Sequence, residues 1–275
     1  MAQRLAASKP DALLLRVLSA SVMAPLAVVA AWLGGALLAV IALLAAGGMG
    51  WEWGRLTQHG RFGGSAALVT ATEVVSALIA VLGWTAGAIG VLALGAVARL
   101  LWPGGDGNTK VWAGIGTFWI GAGCIGLLWL GADPAAGATT LLWLFAVVWA
   151  TDSAAYLVGR WAGGPRLAPR WSPKKTWSGA LGGIAAAGLV GLITSNILGF
   201  SLVSPVFWAS MGLSAVAQAG DLAESAAKRR FRVKDTSGLI PGHGGLLDRL
   251  DGLLAALVAA AILTLARGAT PVMWS

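Results

Sequence analysis

Nine apolar stretches, each near the length of a bilayer crossing, fill most of this chain, and the breaks between them are too short to hold a soluble domain. A helix needs about 20 apolar residues to cross the hydrocarbon. The stretches cover roughly 13–33, 35–53, 66–83, 85–101, 111–131, 138–161, 178–199, 204–230 and 248–267. Only 11% of residues are charged and mean hydropathy is +0.79, against about 25% charged in globular proteins. The expected fold class is therefore all-α: a polytopic membrane protein with about nine transmembrane helices and a cytosolic N-terminus. Its polar start, Met1 to Pro10, is expected to be a retained cytosolic tail. Residues 1–140 would hold N-terminal transmembrane helices. Residues 141–275 would hold the C-terminal helices that carry a cytosol-facing site.

The cations test this count. With nine spans, Arg4, Lys9, Arg16, Arg55, Arg61, Arg99, Lys110, Arg160 to Lys175 and Lys228 to Arg249 all fall on one side, and only Arg267 falls on the other. That is 18 of the 19 Lys and Arg residues, and the positive-inside rule assigns their side to the cytoplasm. The net charge of +8 thus points to anionic headgroups and phosphates, not to nucleic acid. Gly87, Gly90, Gly95, Gly179, Gly182 and Gly183 suit close helix packing. Trp51, Trp53, Trp102, Trp161, Trp171 and Trp177 near span ends are expected at the interface. The single cysteine, Cys124, excludes an internal disulfide and reads as a packed hydrophobe.

Acids inside spans cost about 2.5–3.5 kcal/mol each on insertion scales and want a partner or a task. Glu73, Asp152, Asp221 and Glu224 are such acids, whereas Glu52 and Asp133 at span edges call for no explanation. Glu73 is expected to be a protonated or paired structural acid. Asp221, Glu224, Ser225 and Lys228 share one helix face by their i, i+3, i+4, i+7 spacing. That stripe is either an internal salt-bridge ladder or a face on which Asp221 meets a metal while Lys228 and Arg229 meet phosphate. Asp152, Tyr156 and Arg160 form a second stripe. Asp248 and Asp251, one turn apart, either complement a helix dipole or join Asp221 in a hard oxygen site suited to Mg²⁺. The loop before them, with Pro241, Gly242, His243, Gly244 and Gly245, allows backbone N–H groups close to phosphate. A second loop, 163–179, has prolines at 165, 169 and 173 and the cations Arg166, Arg170, Lys174 and Lys175; it reads as a phosphate or headgroup site, or as ordinary positive-inside bias.

The segment from Ser225 through Lys228-Arg229, Lys234-Asp235, Ser237, Ile240-Pro241, His243-Gly244-Gly245 to Asp248-Arg249-Leu250-Asp251 resembles the C-terminal motif of the phosphatidate cytidylyltransferase family. Asp152 to Tyr156, Gly159-Arg160 and Lys174-Lys175-Thr176 resemble another block of that family. The sequence departs from the pattern at Ala154, Ser178 and Ala227. The resemblance implies transfer of a cytidylyl group from CTP to phosphatidate, giving CDP-diacylglycerol and pyrophosphate, with Mg²⁺ as cofactor. It implies a multi-pass protein of the cell membrane, a bacterial inner membrane, with its site on the cytoplasmic side. CTP, phosphatidate and membrane lipids are the implied partners, and a homodimer stays open. On this footing Asp221, Asp248 and Asp251 hold metal, with Lys228 and Arg229 beside them in the catalytic group. Lys174 and Lys175 bind phosphatidate; Ser225, Lys234, His243, Gly244, Gly245 and Arg249 also bind substrate; Asp152 and Arg160 stand behind them. Two rivals are a polyprenol or dolichol kinase-like enzyme, which would transfer the γ-phosphoryl group, and an ion-coupled transporter.

Overall fold

The computed structural model describes residues 12–201 and 204–274. Nine α-helices occur among them: α1 (Ala12–Leu33), α2 (Gly35–Leu56), α3 (Gly64–Val81), α4 (Thr85–Leu101), α5 (Gly107–Gly131), α6 (Gly137–Ala162), α7 (Trp177–Ile197), α8 (Pro205–Arg230) and α9 (Leu247–Arg267). They fall where the apolar stretches predict them. The expected tail Met1 to Pro10, with Arg4 and Lys9, lies outside the described residues. The break between α1 and α2 is made by Gly34 and Gly35 at φ 59° and 52°, and the break after α3 contains Gly83 at φ 85°. Glycine takes that left-handed backbone without the β-carbon clash.

Seven of the nine helices are long and apolar enough to cross a membrane, and the chain is a membrane protein. The two others depart for different reasons. Helix α4 has only 17 residues. Helix α8 has 26 residues and ends in Asp221, Glu224, Lys228, Arg229 and Arg230. At about 1.5 Å per residue it exceeds a 30 Å hydrocarbon layer, so its polar end can reach the interface. Leu44, Leu94, Leu101, Leu181 and Ile197 are exposed on outer faces, where lipid is the natural solvent. Trp161 and Trp177 are exposed at helix ends as expected, and Trp171 is exposed in the link between α6 and α7. Trp53 is not: it is 1% exposed, and its indole N–H donates to the Ala113 carbonyl at 3.0 Å. Glu73 is fully buried and neither carboxylate oxygen has a hydrogen-bond partner among the described residues, so the paired alternative for it fails.

Successive helices pack side by side from α2 to α5 and from α6 to α9. Helix α5 joins the two sets by packing on α9 as well as on α2 and α3. Ile120, Cys124 and Leu128 of α5 share one core with Leu247 and Leu254 of α9, Ala227 of α8 and Met49 and Trp53 of α2. A second core, around Leu141, Leu144 and Val147 of α6, gathers Leu213 of α8 and Leu257 of α9. The cationic links meet at one end of the bundle. There Arg16 of α1 donates to the Gly242 carbonyl at 2.9 Å, and Arg230, the last residue of α8, pairs with Asp106 before α5 at 3.1 Å.

Helices α8 and α9 approach closely beside their acidic residues. A β-carbon on Gly220 would lie 2.5 Å from Ala255 Cβ and 3.1 Å from the Asp251 carbonyl oxygen. Across the same contact, a β-carbon on Gly252 would lie 3.1 Å from the Ala217 carbonyl oxygen. On the same helix Gly212 faces open space. Alanine is intrinsically the better helix former by about 1 kcal/mol, whereas overpacking costs about 1–3 kcal/mol. Gly212→Ala should therefore leave the thermal unfolding midpoint of detergent-solubilised protein unchanged or raised, and Gly220→Ala should lower it. Equal responses at the two positions would show that α8 and α9 are not in tight contact.

Candidate active site

Four parts of the chain bring their polar groups to one place: the last turns of α6, the hairpin before α7, the last turns of α8 and the first turn of α9. The proline-broken loop 163–176 forms a hairpin of β1 (Arg166–Ala168) and β2 (Ser172–Thr176), antiparallel, with Arg166 opposite Thr176. Alternate strand residues point to opposite faces, so Lys174 is exposed while Lys175 turns inward and pairs with Asp221 of α8. Thr176 then caps α7, accepting the Gly179 N–H at 3.1 Å.

Lys228 is the second cation of the cluster. Its Nζ lies 2.7 Å from Asp248 Oδ1 and 2.5 Å from Glu224 Oε2. The ladder from Glu224 to Lys228 and the contact with α9 are therefore both present; the two alternatives for this stripe do not exclude each other. Neither buried oxygen of Glu224 is in hydrogen-bonding alignment with a donor. Asp251 accepts the Gly252 N–H, at 2.8 Å, as its one hydrogen bond among the described residues, and lies within electrostatic range of Asp221, Asp152 and Lys228. Asp152, open to the surface, is within range of Asp221, Lys175 and Arg249. Five carboxylates (Asp152, Asp221, Glu224, Asp248, Asp251) thus face three cations (Lys175, Lys228, Arg249). Fully ionised, five against three leaves two negative charges uncompensated.

That excess suits a divalent cation. Among the described residues no three His, Cys, Asp or Glu side chains already converge as a metal cage. Mg²⁺ does not demand one, since it is held by one or two carboxylates together with water and substrate phosphate oxygens. The hard oxygen donors fit such an ion, and so does Glu224 Oε1, which has no hydrogen-bond partner among the described residues. Asp248 is less free to do so, because its Oδ2 already accepts from the Thr236 N–H at 2.9 Å, the Thr236 hydroxyl at 3.1 Å and the Gly245 N–H at 2.7 Å.

The glycine-rich loop is held from an unexpected direction. Glu52 is fully buried. Its carboxylate accepts from Ser237 Oγ at 2.5 Å, Thr236 Oγ1 at 3.2 Å and the N–H groups of Leu246 and Leu247 at 2.8 and 2.7 Å. The first N–H groups of a helix have no partner within it, and Leu246 at the N-cap of α9 has no side chain to supply one. Glu52, from α2, supplies it instead. The sequence treats this acid as needing no explanation; only its place in the tertiary structure reveals its load. Gly244, at φ 91°, turns the loop so that the Gly245 N–H meets Asp248.

The remaining candidates are spread around this core. Ser225 Oγ lies 3.5 Å from Asp221 Oδ1. Arg229 donates to the carbonyls of Trp171 at 3.3 Å and Val233 at 2.9 Å, tying the hairpin to the end of α8. Lys234 and Arg249 are exposed. Arg160 donates to the Tyr156 hydroxyl at 2.9 Å. His243 Nδ1 is 2.6 Å from Ser19 Oγ of α1, a tether the sequence does not signal. Burial, then Arg249 and Arg16, hold the imidazole pKa below its ordinary value, so near pH 7 the ring is a neutral hydrogen-bonding group.

Comparison with known proteins agrees with this site. The profile of the Cytidylyltransferase family matches residues 14–266. A phosphatidate cytidylyltransferase of Brucella suis is 40% identical over 250 residues, covering 88% of this chain and 89% of the relative. Proteins of the same name from Haemophilus influenzae and Rickettsia bellii are 43% and 41% identical over 130 and 135 residues. Those matches cover 46% of this chain, and 45% and 58% of the relatives respectively. A match this long, over a chain whose polar groups converge as described, means that the chain belongs to the cytidylyltransferase family and is a membrane nucleotidyltransferase.

Proposed function

We propose that this chain transfers the cytidylyl group of CTP to phosphatidate, releasing pyrophosphate and CDP-diacylglycerol, at the cytoplasmic face of a bacterial cell membrane. The observation that carries the reading is the convergence of Asp152, Asp221, Glu224, Asp248 and Asp251 with Lys175, Lys228 and Arg249 beside a loop that presents backbone N–H groups. The relatives that match along the chain bear the name of this activity.

A phosphate oxygen of phosphatidate attacks the α-phosphorus of CTP. The bond from that phosphorus to the bridging oxygen breaks, and pyrophosphate leaves with the electron pair. The second pKa of a phosphate monoester is about 6, so the nucleophile is already ionised near pH 7 and needs no general base. The chain's task is alignment and charge neutralisation. Lys174, free on the outer face of the hairpin, receives the phosphatidate headgroup. Lys175 and Lys228 hold the carboxylates in register and offer positive charge to the approaching phosphates. Lys234 from the loop and Arg249 from the first turn of α9 face the triphosphate, and neutral His243 contributes a hydrogen bond. Asp221, Asp251 and Glu224 would hold Mg²⁺, with Asp248 mainly organising the loop. Bound there, the ion would neutralise phosphate charge and favour the departure of pyrophosphate.

The direct test uses purified protein, phosphatidate in mixed micelles and CTP labelled at the α or the γ phosphorus. Label from the α position should enter the lipid phase while the γ label leaves as pyrophosphate. Lipid labelled from the γ position, with CDP as the second product, would instead identify a kinase.

Three substitutions separate the roles. Asp251→Asn should lower turnover at least about 100-fold, in line with loss of an electrostatic group at a reacting centre, with a near-normal unfolding midpoint; wild-type turnover would remove Asp251 from the site. Lys174→Ala should raise the apparent KM for phosphatidate more than that for CTP, and the opposite ranking would reassign the hairpin. Glu52→Gln places an amide among donors that require an acceptor. With hydrogen bonds to charged groups contributing about 1.5–3 kcal/mol, it should lower the unfolding midpoint and speed proteolysis within 236–247. An unchanged cleavage rate would show that Glu52 does not anchor the loop.

A further inference from the structure

At the same end of the bundle, on α2 to α5, lies a cavity of about 760 Å³, within the range of small-molecule sites. Its wall comes from the α2–α3 link, the start of α3, the last turn of α4, the α4–α5 link, the first turn of α5 and Arg230 at the end of α8. None of the five carboxylates or of Lys175, Lys228 and Arg249 lines it. Arg99, in the last turn of α4, does, although it is only 4% exposed. Its Nε has no hydrogen-bond partner, and among the described residues it forms no ion pair. A buried cation without a counter-charge costs several kcal/mol.

The N-terminus of the 18-residue helix α3 opens into the same cavity through Gly64 and Ser65, and its N-cap, Gly63, offers no side chain to its free N–H groups. Such a terminus favours an anion through both its donors and its dipole. His59 and Arg61 stand exposed at the wall. The one carboxylate present, Asp106, is already engaged: it accepts from the Thr109 N–H at 2.9 Å and from Arg230 at 3.1 Å. The cavity is left with unmet positive charge facing inward.

We propose that this cavity is a second anion site, separate from the carboxylate cluster, that binds a phosphate group through Arg99, Arg61 and the N-terminus of α3. A lipid headgroup and a free phosphate offer the same chemistry here. The exposed Leu101 beside Trp102, and Phe62 beside Arg61, would flank the acyl chains of a lipid.

The test is equilibrium binding to the full, delipidated chain in nonionic detergent, with phosphatidylglycerol and inorganic phosphate as separate probes. Wild-type protein should show a saturable site that Arg99→Gln loses and that Arg61→Gln weakens roughly tenfold, the equivalent of about 1.4 kcal/mol. Lys175→Met, at the carboxylate cluster, should retain it. Saturation by phosphatidylglycerol alone assigns a lipid headgroup, and saturation by inorganic phosphate alone assigns a soluble anion. Either supports the site. Wild-type affinity in Arg99→Gln, or in the exposed Arg61→Gln if the first variant does not fold, overturns the proposal; so does the absence of any saturable site in wild-type protein.

Discussion

Mutual repulsion among carboxylates is the constraint around which the rest of this structure is arranged. Asp152, Asp221, Glu224, Asp248 and Asp251 come within electrostatic range of their neighbours at the edge of an apolar bundle, where like charges repel more strongly than in water. They are pressed together because α8 and α9 approach along Gly220 and Gly252, with no β-carbons to hold the helices apart. Lys175 and Lys228 offset part of the cost by pairing across elements. Each lysine therefore has a structural role within the chain itself, and the proposed reaction gives it a second one toward phosphate.

The loop between α8 and α9 would be a mobile glycine-rich connection without two acids that grip its backbone. Asp248 gathers Thr236 and Gly245, and Glu52 gathers Ser237 and the opening N–H groups of α9. Helix α2 thereby fixes a segment almost 200 residues away in sequence, and α1 adds Arg16 and Ser19. The N-terminal helices are part of the scaffold of the site, although the motif residues all lie in the C-terminal part.

The chemistry needs little beyond this. A phosphate that is already ionised near neutral pH can attack another phosphorus if the charge between them is screened. The arrangement accordingly offers cations and hard oxygen donors.

The helix count, their bounds and the collection of cations at one end were legible in the sequence, because lipid imposes a length and a polarity on every span. So was the motif from Ser225 to Asp251, because a dense set of charges and glycines stands out against an apolar background. The breaks at Gly34-Gly35 and Gly83 turn on local backbone conformation alone. What the sequence could not show was which charges meet. Glu52 looked idle and Trp53 looked interfacial, since spacing along one helix does not reveal a partner on another. Lys175 and Lys174 were equivalent until the hairpin sent them to opposite faces. Arg99 was one cation among many on its side until the packing of α4 buried it. Local sequence fixes what each segment can be; long-range contacts, through burial and the pairing it demands, decide which of its polar groups form a site.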